Sequence, residues 1–521
     1  MTRPPRDTTQ ATIIRTAPQP DTGYRRLTAG PAEQHRARTE LITGSAWSLP
    51  DRPVGRLVQV TDFQLADLVS PSRLEFLQRL AGVPAWRRML PAYRPQEFLL
   101  LQAIEAILRT IRELATEPGR GFDAVITTGD NTDSAQLNEL QTFLTLMNGG
   151  PIRPGDPNDG LDSTVSASGN EYYWNPEPTS RDRWKTERGL PNHPGALAAA
   201  ARPFEAGGLG APWLACFGNH DCLVQGRAPA PPGYDDFLTG GSKPSDRPLD
   251  RDPSDPQSTQ RPDTLDAYCD DPLIFSTAAP HDIEALPERR MIDKATYVRL
   301  HRETGQQPAG HGFTAENAAD GTAYYSYDAI DGLRLIILDT TNPAGGVDGC
   351  VDERQFGWLA GELGSAGERL VIICSHHGLS TLTNATGDGT WGGRLRLADE
   401  VEELLHRHGS VIAWLSGHTH VNKVTPRPGP SGGFWEISTS SIAEWPVQVR
   451  ELEVFATDEG IAIRATMIDS AVAPEPTGDL DLDDLAGLHR EVAANDPGSV
   501  GGLDAEGTPQ DRNVVLYLRR S

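Results

Sequence analysis

Five short apolar runs in this chain each end on residues that carry chemistry, and this recurrence limits the fold more than any other feature. The runs are RLVQVTD, DAVITTGD, APWLACFGNHD, LVIICSHH and VIAWLSGHTH. They deliver Asp62-Phe63-Gln64, Gly129-Asp130-Asn131-Thr132-Asp133, Gly218-Asn219-His220-Asp221, Ser375-His376-His377-Gly378 and Gly417-His418-Thr419-His420. Short runs rich in Val and Ile and closed by Asp, Asn or His read as buried strands that present ligands from their C-terminal ends. Helical patterns lie between them. In QEFLLLQAIEAILRTIRELA the residues Leu99, Ile104, Leu108 and Ile111 recur at three- and four-residue steps, the spacing of one buried helix face. AQLNELQTFLTLMN, DERQFGWLAGEL and LADEVEELLHRHG continue the alternation, which makes this an α/β chain.

Spacing assigns the motifs to one pocket. Asp62 and Gln64 are two apart, as are His418 and His420, and in extended chain residues i and i+2 face the same side. Gly129, Gly218 and Gly417 allow tight departures from the strands. A ligand set of carboxylate, amide and imidazole suits Mn, Fe, Zn or a similar ion rather than a thiolate zinc site. The five cysteines contain no CxxC pair and read as reduced thiols.

These five motifs, in this order, resemble those of the calcineurin-like metallophosphoesterase superfamily. The resemblance covers roughly residues 55–450 and implies a layered α/β/β/α sandwich, two mixed β-sheets flanked by helices, with long insertions. It implies two divalent metal ions, Asp130 bridging both. Asp62 and His420 complete one site with Gln64 beside them; Asn219, His376 and His418 complete the other. It further implies hydrolysis of a phosphodiester or phosphomonoester by a metal-bound hydroxide, with His220 contacting phosphate and protonating the leaving oxygen. His377, Asp133 and Asp221 are expected to touch substrate or to support the ligands. Two departures matter. Gln64 stands where most members carry His, which weakens one metal site. Asp133 stands where purple acid phosphatases carry a ligating Tyr, so no ferric–tyrosinate centre is expected. Gln64 also leaves open a different reading, a non-catalytic partner-binding module with a degenerate metal site.

Around the motifs the expected organisation is a polar N-terminal arm over residues 1–50, a catalytic domain over 51–470, and an acidic C-terminal segment over 471–521 with NVVLYLRR as a candidate closing strand. Two insertions, at about 149–205 and 225–322, read as a lid or cap. Tyr172, Tyr173, Trp174, Tyr324, Tyr325 and Tyr327 are candidates to line a cleft or to be core, and Glu444, Trp445 and Arg450 sit in a loop expected near its mouth. Asn422 and Lys423, just past the last ligand, read as a solvated loop within reach of a substrate phosphate. A net charge of −25 argues against long nucleic acid as a partner but does not exclude the small phosphoester that the resemblance implies, since a pair of divalent cations would dominate the local field. No apolar stretch is long enough for a membrane span and the N-terminus lacks an apolar signal core, so a cytoplasmic location is expected.

Overall fold

The computed structural model describes residues 7–80, 83–89, 92–156, 160–244, 264–276, 280–387, 393–430 and 432–519. The chain begins one sheet with β1 (Arg36–Leu41), β2 (Gly55–Val60), β3 (Ala124–Thr127) and β4 (Trp213–Ala215). It then lays down a second sheet: β5 (Tyr325–Tyr327), β6 (Leu333–Ile337), β7 (Leu370–Cys374), β8 (Val411–Ser416), β9 (Lys423–Arg427) and β10 (Phe434–Ser438). It returns to the first with β11 (Gln448–Ala456), β12 (Ile461–Asp469) and β13 (Val514–Leu518). The strand orders are β1-β13-β12-β11-β2-β3-β4 and β5-β6-β7-β8-β10-β9. Both sheets are mixed. β2, β3 and β4 run parallel, as do β6, β7, β8 and β10, while β11 and β12 pair antiparallel.

The layers follow from alternation along the strands. Leu335, Ile337, Ile372, Leu415 and Ile437 of the second sheet share one core with Leu57, Val125, Leu214, Leu452 and Ile463 of the first. The intervening residues Ile336, Val371, Ile373 and Trp414 face outward. They are covered by α4 (Glu353–Gly364) and α5 (Ala398–His406) through Leu359, Leu363, Val401 and Leu404. With both faces buried, these parallel strands read as unbroken apolar runs. The first sheet is covered by α1 (Leu100–Ala115) and α2 (Leu137–Asn148). α2 begins with a capping box between Gln136 and Glu139. α3 (Lys294–Glu303) is capped by Asp293, which accepts from Thr296 N at 2.8 Å. The result is the α/β/β/α sandwich expected from sequence.

A buried glutamine joins the two sheets beneath the site. Gln59 of β2 donates through Nε2 to the Ser416 carbonyl of β8 at 2.8 Å and accepts from Thr439 Oγ1 at 2.7 Å. It fixes the C-terminal ends of β2 and β8 side by side, and those ends carry Asp62 and His418.

Both ends of the chain differ from the expected surface segments. β1 lies within the N-terminal fifty residues and pairs with β13, so the arm supplies an edge strand. The acidic tail folds as α6 (Leu482–Ala493), with its charges spent at the helix start and Leu485, Leu488 and Val492 buried against residues that include Phe98 and Leu99. β13 then inserts between β1 and β12. The first insertion packs as core: Tyr173, Trp174 and Trp184 are buried beside Tyr93. Tyr325 is likewise core, its hydroxyl donating to the Ala215 carbonyl at 2.9 Å. Within the second insertion, residues 245–263 and 277–279 lie outside the described residues, as do 388–392 in the loop after His377. No helix among the described residues is long and apolar enough to cross a membrane.

Candidate metal centre

The ends of β2, β3, β4, β7 and β8 meet where the two sheets abut, and the five motifs converge there. Asp62, Asp130 and His376 bring one oxygen or nitrogen each to within 4.8 Å of one another, all three fully buried or nearly so. His376 Nε2 is 3.1 Å from Asp130 Oδ2 and 3.2 Å from His418 Nδ1. On the other side, His420 Nε2 lies 3.2 Å from Asp62 Oδ1. Asp62, Gln64, Asp130, His418 and His420 all adopt left-handed backbone, with φ of 52°, 40°, 54°, 65° and 56°. Non-glycine residues rarely take this conformation, and strain of this kind concentrates at functional sites. Close approach is also built in: a Cβ on Gly218 would stand 2.2 Å from Asp130 Oδ1.

Each ring is aimed by its second nitrogen. His376 donates through Nδ1 to the Thr128 carbonyl at 2.9 Å, which turns Nε2 toward Asp130. His420 Nδ1 is bonded to Glu444 Oε2 at 2.9 Å, which turns its Nε2 toward Asp62. Such outer partners orient metal-ligating imidazoles. Glu444 also accepts from Arg94 Nε, Ser499 Oγ and Val500 N, each at 2.8 Å.

The electrostatics mark a pocket that draws positive charge. Burial lowers the His376 ring, yet Asp130 and then Asp62 overcome it and push the ring up to about 9. Burial likewise works against His420, but Glu444 and Asp62 push it up to about 10. Burial raises Asp130, and His376, His220 and His418 outweigh it and hold the carboxyl well below its usual range.

The donor set fits divalent cations. Asp62 Oδ1 and Asn219 Oδ1 are buried without a hydrogen-bond partner; the nearby His420 nitrogen does not meet Asp62 Oδ1 in hydrogen-bond geometry. Asn219 is turned by its own amide, Nδ2 donating to the Gly226 carbonyl at 2.9 Å, which leaves the orphaned oxygen as its free atom. Buried oxygens of this kind need a partner, and a metal ion supplies one.

The remaining sequence candidates fall around this set. Gln64 is buried at the centre, but Arg94 Nη2 donates to its carbonyl oxygen, the atom that would coordinate. His377 has both nitrogens occupied, Nδ1 with Thr340 Oγ1 and Nε2 with the Val347 carbonyl, each at 2.9 Å. It therefore braces the loop at 340–347 rather than offering a free ligand atom. Asp221 accepts from Asn131 N, Thr132 N and Gly218 N at 2.9–3.0 Å and staples two motif loops together. Asp133 pairs with Arg73 at 2.8 Å and Gln225 at 2.6 Å. His220 is partly exposed, its Nδ1 bonded to the Asp133 carbonyl at 2.7 Å and its Nε2 4.0 Å from Asp130 Oδ2. Asn422 is buried and bonds Arg450, and both brace the loop around Ser440.

Arg94 and Asp348 were missed by sequence reasoning. Arg94 belongs to no motif, and its role appears only once Gln64 and Glu444 are side by side. Asp348, 3.7 Å from His418 Nε2, sits in a glycine-rich turn with no local signal. A cavity of about 700 Å³ opens between residues 222–230, 290–296 and 339–343, and none of the candidate ligands lines it.

No family model matches this chain, and no curated protein does. Solved structures match at probability 1.00. One is a dimetal phosphatase from Danio rerio, 12% identical, with a TM-score of 0.36 over 81% of this chain and 97% of that one. Another is the sulfate thiohydrolase SoxB of Thermus thermophilus, 14% identical, with a TM-score of 0.30 over 82% of this chain and 58% of that one. A third is a purple acid phosphatase from yellow lupin seeds, 12% identical, with a TM-score of 0.30 over 85% and 54%. The chain thus spans little more than half of the latter two.

Proposed function

We propose that the chain is a metal-dependent phosphoesterase of the calcineurin-like type, hydrolysing a small phosphodiester or phosphomonoester. The observation that carries this is the convergence of two orphaned buried oxygens, Asp62 Oδ1 and Asn219 Oδ1, with Asp130, His376, His418 and His420. Asp62, Asp130 and His420 would hold one divalent ion; Asp130, Asn219, His376 and His418 would hold a second. Bound there, such ions activate water and offset negative charge on a phosphoryl group.

The protein's own part is orientation and proton handling. Thr128 and Glu444 fix the tautomers of His376 and His420. The Asp133 carbonyl accepts a hydrogen bond from Nδ1–H of His220, so the neutral ring presents a lone pair at Nε2 and the imidazolium presents a proton there. His220 is open to solvent on one side, and a leaving oxygen at Nε2 would receive that proton.

Purified protein loaded with Mn²⁺ should hydrolyse an aryl phosphodiester or monoester. His220→Ala should retain metal and lose roughly 100-fold or more of the rate. Absence of turnover with two equivalents of metal bound would overturn the reading. The hold of Arg94 on Gln64 favours a second reading, a partner-binding module with an incomplete site. That reading expects less than one equivalent of metal and no turnover of either ester class.

A further inference from the structure

Beside the candidate centre one cation has no side-chain partner among the described residues. Residues 225–227 wrap one face of His220. Gln225 donates to Asp133 Oδ2 and Ser134 Oγ, both at 2.6 Å, and the Gly226 carbonyl holds the Asn219 amide. Gly226 sits so close to the imidazole that a Cβ there would lie 2.2 Å from Cδ2 and 2.4 Å from Nε2 of His220. Arg227 follows directly. Its backbone is anchored: its N–H donates to the Val224 carbonyl at 3.0 Å, and its carbonyl accepts from Gly346 N at 2.8 Å. Its guanidinium makes no hydrogen bond or ion pair with any described residue.

The neighbouring arginines differ. Arg73 is satisfied by Glu75, Glu97 and Asp133, and Arg94 by Gln64, Glu97 and Glu444. Arg227 is only partly exposed, and burial is the largest influence on it, lowering its pKa. Arg94 adds repulsion, while Tyr268 and Asp133 favour its charge; that charge in turn is felt at His220. A half-desolvated guanidinium that feels the charge of a second arginine is costly unless an anion completes it. Arginine's planar fork takes phosphate or carboxylate in paired hydrogen bonds.

Under the phosphoesterase reading, on which this step rests, His220 faces the leaving oxygen. Arg227 follows the glycine packed on that ring, which brings its backbone alongside the leaving-group side. We infer that Arg227 is a substrate-binding residue that grips an oxyanion, phosphate or carboxylate, carried by the leaving group. The substrate is then an ester with a second anionic group beyond the phosphorus under attack.

The test compares phenyl phosphate, whose leaving group is neutral, with carboxyphenyl phosphate and the bisphosphate of a short diol. The Mn²⁺-loaded full chain, Arg227→Gln and Arg227→Lys are assayed side by side. The wild type should show a KM roughly tenfold or more lower for at least one anionic ester. Arg227→Gln should abolish that preference, raising KM far more for the anionic ester than for phenyl phosphate, and Arg227→Lys should keep part of it. Which anionic ester shows the effect separates carboxylate from phosphate. Equal KM values in the wild type, or an equal loss on phenyl phosphate in Arg227→Gln, would overturn the inference. If none of these monoesters is turned over, the aryl phosphodiester assay above judges the phosphoesterase reading separately. Calorimetric titration of the three esters into wild type and variants then decides the role of Arg227. Tighter binding of an anionic ester that Arg227→Gln removes would support it, and equal affinities would overturn it. Unchanged melting temperatures show that the variants remain folded.

Discussion

Glu444 Oε2 lies 2.9 Å from Nδ1 of His420, and both side chains are fully buried. Burial raises the Glu444 carboxyl, but His420 and Arg94 outweigh it and hold the group well below the usual carboxylate range. The pair aims His420 at Asp62. Glu444→Gln should leave the fold intact and weaken divalent-metal affinity roughly 10- to 100-fold. Calorimetric titration of Mn²⁺ into both proteins measures it; equal affinities would mean that His420 needs no such orienter.

Arg94 is the hub between two carboxylates and an amide. It reaches Glu444 at 2.8 Å, Glu97 at 3.6 Å and the Gln64 oxygen, all in a nearly dry environment. Removing it strands buried negative charge, so Arg94→Leu should cost about 3–5 kcal/mol of stability. Urea denaturation with and without the substitution checks the figure, and a loss below about 1 kcal/mol would show that water repairs the gap.

Metal should stabilise the fold, because the orphaned oxygens of Asp62 and Asn219 are present only when the strands are in place. Free Mn²⁺ at about a hundredfold over its dissociation constant should add about 2.7 kcal/mol, with a matching rise in melting temperature. Chelation should reverse it. Gly218→Ala should abolish the rise, since its Cβ would displace Asp130.

Stability should fall below neutral pH through His301 and His311. Both are fully buried, and His311 stacks on Trp213 at 3.6 Å. Burial pushes His301 down to about 4; burial, then His301, pushes His311 down to about 3. A histidine lowered by folding binds its proton more readily when unfolded. Stability is therefore complete above about 6.5 and is lost as pH falls toward those values. At pH 5 each should account for about 2 kcal/mol. Denaturation midpoints of wild type and His311→Gln between neutral pH and pH 5 test this: the variant should show the shallower decline.

The five strand ends were legible because each candidate ligand follows its strand within a few residues, where local pattern holds. Asp62, Asp130, Asn219, His376, His418 and His420 are all found at one place on that signal. The choice between His376 and His377 was not local. It turns on Thr340 and the Val347 carbonyl, which reach His377 from a different strand connection. Glu444 was visible as a residue near the cleft, but its partner lies across a loop.

What the sequence determined alone is the strand-helix alternation and the order of the candidate ligand motifs, since period and spacing are properties of neighbours along the chain; the layered sandwich came with the resemblance that those motifs carry. Tertiary structure decided the rest. The acidic tail becomes a docked helix and an interior strand because Leu485, Leu488, Val492 and β13 find apolar partners far away in sequence. Gln64 meets Arg94 instead of solvent, and the Arg227 side chain is left unpaired among the described residues, because hydrogen-bond partners and burial are set by contacts between distant segments, which no window of sequence contains.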